Sequence, residues 1–172
     1  SKAFKHILES GILMETELQD LNGFIIDAKF SSHEEMAKMA ELWDIELIQI
    51  EDGDFQGFMT GIHTSHIQIA QSYQSHGVIV KGKIPPDTYL FANVNGSGEV
   101  TSSGITLTSN EVMVLDDKHD LNFTSKSSFF DITIVVDKTF FKNTYTMLYG
   151  TPFSYKKDIR RIELKKKNKN NK

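Results

Sequence analysis

"WDIELIQIEDGDFQGFMTGIHTSHIQIAQSYQ", residues 43–74, carries the pattern that decides the fold. From Asp44 apolar residues fall on one side of the alternation within each run: Ile45 and Leu47, Phe58 and Ile62, Ile67 and Ile69. A period of two belongs to strands, because successive side chains point to opposite faces. "EDGD" (51–54) is a turn cluster, and Thr64-Ser65 reads as a two-residue hairpin loop between strands 55–63 and 66–74. On that register His63 and His66 are cross-strand neighbours. Their face runs on through Gly61, Gln68, Ala70, Ser72 and Gln74, the polar side, while Ile62, Ile67, Ile69 and Tyr73 are expected on the inner side.

The pattern extends in both directions. "FIIDAKF" (24–30) reads as a strand before it. After it, "GVIVKGKIPPD" passes through a Pro-Pro turn into "TYLFANV" (88–94). "ITL" (105–107), "EVMVL" (111–115), "LNF" and "SSFFDITIVV" (127–136) complete the series. "NGSGEVTSSG" reads as a turn-rich loop. About eight or nine short strands at intervals of roughly 8–12 residues are the mark of an antiparallel sandwich or barrel, not of βαβ units.

Helical periodicity appears on both flanks. Residues 4–22 are loosely helical. In "SSHEEMAKMAELW" Ser32 and Glu35 form a capping box, and Met36, Met39, Ala40 and Trp43 make one apolar stripe, read as core packing rather than a ligand box. "DKTFFKNTYTMLYG" starts at the N-cap residue Asp137 and stops at Gly150. Beyond Pro152, "SYKKDIRRIELKKK" suggests a weak second helix.

The chain has 172 residues, the size of one domain, and lacks cysteine, which removes disulfides and thiol chemistry. With 39% hydrophobic and 24% charged residues, and no apolar run long enough to span a bilayer, it reads as soluble and cytoplasmic without membrane contact. Residues 155–172 hold nine basic and two acidic residues, a net +7, so residues 1–154 carry −11 of the total −4. Such an acidic body repels a phosphate backbone. The tail from 165 to 172 reads as a disordered end or a linker.

Catalytic signals are thin. No serine sits in a G-x-S-x-G elbow, and Asp52/Asp54 and Asp116/Asp117 read as turn formers. His76 lies ten residues beyond His66, about 33 Å along an unbroken strand, so it can complete a metal site with His63 and His66 only if the chain folds back. No catalytic residue, metal or cofactor is expected.

Taken together, the capped helix ending at Trp43, the F-x-G strand at Phe55 and Gly57, Gly77, the Pro85-Pro86 turn, Phe91 and Asp131 in "FFDITIVVDKTFF" resemble one known arrangement. It is the N-terminal cupin-like sensor and dimerisation domain of AraC-family transcription regulators, with the similarity covering about residues 24–150. The resemblance implies a mainly β fold, a cupin-like (jelly-roll) antiparallel β-barrel over 44–136. Residues 1–43 would be an extension packing on it, and 137–164 C-terminal helices for dimerisation. It also implies a bacterial regulator that senses a small-molecule effector as a homodimer. DNA would be reached only through a C-terminal helix-turn-helix region, which this sequence does not contain; the chain is then part of a longer regulator or a stand-alone partner or antagonist of one. For ligand-binding walls, Tyr73, His76, Tyr89, Phe91, Asn93 and Phe130 are the candidates. For the dimer surface they are Phe140, Phe141, Tyr145 and Leu148. Metal-dependent cupin enzymes are the alternative, but they use an H-x-H pair with a nearby glutamate, and here the spacing is H-x-x-H with no acid before His76.

Overall fold

A computed structural model describes residues 23–40, 43–154 and 161–164. The helix expected over 4–22 and the basic tail over 165–172 lie outside these residues. The described chain is mainly antiparallel β, in two sheets. Strands β1 (Phe24–Phe30), β3 (Gly57–His63), β4 (Ile67–Gln74), β6 (Thr88–Gly96), β9 (Glu111–Asp116), β11 (Phe129–Asp137) and β12 (Arg161–Glu163) form one, in the order β1-β3-β4-β11-β6-β9-β12. The other holds β2 (Asp44–Gln49), β5 (Val78–Lys83), β7 (Val100–Ser102), β8 (Ile105–Leu107) and β10 (Leu121–Ser125), in the order β2-β5-β10-β7-β8.

The sheets face each other across a shared core. Ile26, Phe30, Leu90, Met113 and Phe129 from the first meet Val78, Val80, Leu121 and Phe123 from the second. Two separate sheets, not a closed barrel, are therefore what the alternating pattern produces. β1 pairs with β3 along its whole length, so the expected extension over 1–43 contributes an integral strand.

Helix α1 (His33–Met39) packs beside this core through Met36, which is buried. Ser32 caps it by accepting from the Glu35 N–H at 3.2 Å. The return bond differs from a capping box: the Glu35 carboxylate takes the Ser31 N–H and hydroxyl, each at 3.1 Å. A side chain at Gly57 would crowd this packing, its Cβ lying 3.0 Å from the Phe55 ring and 3.2 Å from Met36 Sδ.

Helix α2 (Lys138–Tyr149) continues directly from β11. Asp137 accepts from the Phe140 N–H at 2.7 Å, and Gly150 closes the helix in the left-handed region with φ 68°, as the sequence predicts. Most of the stretch expected to be a second helix, 155–160 and 165–167, lies outside the described residues; within it residues 161–163 add a strand to β9, with Arg161 3.1 Å from Glu111. Paired backbone outweighed a weak helical period there. β7 likewise lies within the stretch expected to be a loop: Val100 and Ser102 are buried beside β10.

The hairpin of β3 and β4 has a longer loop than expected. His63 pairs with Gln68, and the Thr64 N–H and hydroxyl both reach the Ile67 carbonyl, leaving 64–66 as the loop. The strand faces are also inverted. Ala70, Ser72 and Gln74 are buried inward, while Ile62 and Ile69 stand on the outer face, 51% and 47% exposed. The polar side of β4 is its inner side.

Candidate functional site

Between the sheets lies a cavity of about 140 Å³. Its wall is largely apolar, with Met39 and Trp43 at the α1 end, Leu47 and Val80 on the second sheet, and Met59 and Leu90 on the first. The stripe read as core packing thus does two things: Met36 joins the core, and with Met39, Ala40 and Trp43 it closes one side of the cavity.

The polar groups are concentrated on β4 and β11. Asp131 projects inward and its two oxygens accept from the Ser72 hydroxyl and, at 2.7 Å, from the Thr133 hydroxyl. Burial pushes the Asp131 carboxyl above the ordinary carboxylate range; the two hydroxyls pull in the other direction without cancelling it. Gln74 is 5% exposed, and its Oε1 has no hydrogen-bond partner. Gln68 completes this wall and bonds His63, whose imidazole is held below its usual pKa by burial, partly offset by that bond.

The residues expected to line a pocket lie elsewhere. Tyr73 and Phe130 are cross-strand neighbours on the outer face, and Tyr73 stacks on Phe58 at 5.5 Å. Asn93 donates to the Ser109 and Glu111 carbonyls at 3.0 and 2.8 Å, fixing the β6–β9 edge. Tyr89 and Phe91 meet Phe141 of α2 at 5.6 and 5.5 Å. His76 bonds Ser75 at 2.7 Å, with its ring against Gly53 of the 51–54 turn. None of the six lines the cavity. Once β4 is inverted its inner residues are Gln68, Ala70, Ser72 and Gln74, and β11 offers Asp131 and Thr133. Asp131 was legible as part of a family-like pattern, not as a cavity group.

Of the four dimer-surface residues, Phe141 and Tyr145 pack within the chain, at 4.8 and 5.2 Å from Phe153. Phe140 stacks on His66 at 5.0 Å, and Leu148 is 72% exposed. His63 stacks on Phe24 at 4.7 Å, so the two histidines engage separate phenylalanines. Among the described residues no three His, Asp or Glu side chains converge as a metal site requires.

No protein-family model matches the chain, and neither a curated protein nor a solved structure matches it. Among the described residues no helix is long and apolar enough to cross a membrane.

Proposed function

We propose that this chain is a non-catalytic sensor domain that binds a small molecule between its sheets and passes the event to α2. One observation carries this reading: β6 and β11 serve the cavity and the helix at once. On β6, Leu90 and Ala92 line the cavity while Tyr89 and Phe91 hold Phe141. On β11, Asp131 and Thr133 face the cavity, and Asp137, where the strand ends, caps α2. A ligand that favours one arrangement of these strands thereby favours one placement of α2.

The two-sheet antiparallel fold and the strand that runs straight into a helix support the likeness to the cupin-like domain of AraC-type regulators. In that reading the chain is cytoplasmic and acts as a homodimer, and a helix-turn-helix region outside it contacts DNA. The second copy has an apolar surface to meet. Ile62, Ile69 and Ile134 form a continuous row of cross-strand pairs on the outer face, with Ile132 beside it.

Two features of composition make the reading testable. Trp43 is the sole tryptophan and lines the cavity, and there is no cysteine. A Leu148→Cys variant with a dye on that thiol reports α2, while Trp43 emission reports the cavity. Small molecules that shift Trp43 emission are expected to shift the dye signal with the same midpoint, and Ala92→Phe, which fills the cavity, is expected to abolish both. A ligand that saturates Trp43 without moving the dye would show that the cavity does not report to α2.

A further inference from the structure

Among the described residues the cavity holds one ionisable group and no countercharge. Among the described residues that line it, Asp131 alone can ionise. Around it stand two hydroxyls, the amides of Gln68 and Gln74 and an otherwise apolar wall, and among the described residues no lysine, arginine or histidine lines the cavity. A buried carboxylate is normally paired, because an isolated one is strongly disfavoured away from water. Nearby stands a second unmet demand. Gln74 is buried on the same wall with Oε1 lacking a donor. In the strand register Asp131 lies opposite Ser72, and Phe129 opposite Gln74. Gln74 and Asp131 are therefore inward-facing diagonal neighbours on adjacent strands.

From this juxtaposition we infer that the cavity takes a small organic ammonium ion, an amine with a compact apolar body. The inference rests on the sensing reading and names its ligand class. A primary ammonium brings three N–H donors and one positive charge. Asp131 receives the charge and Gln74 Oε1 takes a donor, while the body packs among Met39, Trp43, Leu47 and Met59. A carboxylate ligand would place a second negative charge beside Asp131 with nothing to offset it. A neutral alcohol brings one donor and leaves one of the two acceptors unmet. The volume of about 140 Å³ is close to the ~150 Å³ of an apolar protein cavity that holds benzene, so the body is about one ring or a short alkyl chain.

Three probes of nearly one shape separate these cases: benzylamine, benzyl alcohol and benzoate, titrated at neutral pH by calorimetry with Trp43 emission as a second readout. Benzylamine is expected to bind at least about tenfold more tightly than benzyl alcohol, with benzoate weakest. Asp131→Asn should bring the amine and the alcohol to within about threefold of each other, the alcohol's own affinity being retained as proof of an intact cavity. Gln74→Leu should weaken the amine more than the alcohol, which gives an independent test should the Asp131 variant fold poorly. Equal binding of amine and alcohol would overturn the ammonium assignment while leaving a ligand cavity. Absence of benzylamine binding, or binding that leaves Trp43 emission unchanged, would also overturn it. The sensing reading stands or falls separately, on whether Trp43 and the α2 dye respond together.

Discussion

Asp131 is where the interior is least settled. Ser72 and Thr133 donate to it, yet burial dominates and raises its pKa in the folded chain above the ordinary 3.8. The folded state therefore holds a proton that the unfolded state releases, and stability falls as pH rises between the unfolded and folded values. Below that window the protonated carboxyl contributes its full share; above it that share is lost. Asp131→Asn keeps the shape without the titration. Urea unfolding of both proteins from pH 4 to pH 8, without ligand, should show the wild type losing stability relative to the variant as pH rises. A constant difference across the range would mean that Asp131 titrates as an ordinary exposed carboxylate. A saturating amine should shrink the slope, because pairing favours the ionised form.

At the scale of elements, α2 is held at its start by backbone and side chain together. Asp137 caps it, its own N–H reaches the His66 carbonyl at 2.9 Å, and the Lys138 N–H reaches Asp87 at 2.9 Å. Lys138 also pairs with Asp117 and lies over the Tyr89 ring at 5.3 Å. Removing the cap alone with Asp137→Ala should cost about 1 kcal/mol in urea unfolding and leave cavity affinity within about twofold. A loss of several kcal/mol would show that the junction, not the cap, was disturbed. This cap was plain in the sequence because Asp137 and Gly150 bracket a helical period. Strand existence was equally plain, from β1 and from the alternation of β2 to β6. Strand facing was not. The usual inference assigns the apolar side to the core, but here β4 turns Gln68, Ser72 and Gln74 toward a largely apolar cavity and leaves Ile69 outside. A sheet whose inner face carries a polar cluster and whose outer face carries isoleucines gives alternation without polarity, and position in the sheet settles what pattern cannot. For the same reason Asp131, in "FFDITIVVD", gave no local signal of a site.

At the scale of the whole molecule, the outer face of the seven-stranded sheet is where the proposed homodimer would form. Its central strands β3, β4, β11 and β6 point Phe58, Ile62, Ile69, Tyr73, Phe130, Ile132, Ile134 and Phe91 outward, and no charged side chain interrupts them. Among the described residues α2 and Phe153 pack on the Tyr89–Phe91 end, and Phe140 of α2 reaches His66. Four strands span roughly 19 Å, so the field reaches the few hundred Å² at which apolar patches mark interaction sites. Charge depletion with aromatic and aliphatic content is also the composition of interface cores. A second copy laid face to face would pack the two sheets about 10 Å apart, as sandwich layers do. Sedimentation should then find a dimer at micromolar concentration. Ile62→Lys with Ile134→Lys, two exposed positions that flank Ile69 without opposing each other, should give a monomer whose unfolding midpoint is nearly unchanged. Met147→Ser with Leu148→Ser, at the exposed end of α2, should leave the dimer intact. If the helix pair dissociates it and the sheet pair does not, dimerisation belongs to α2, and the isoleucine row is not the contact.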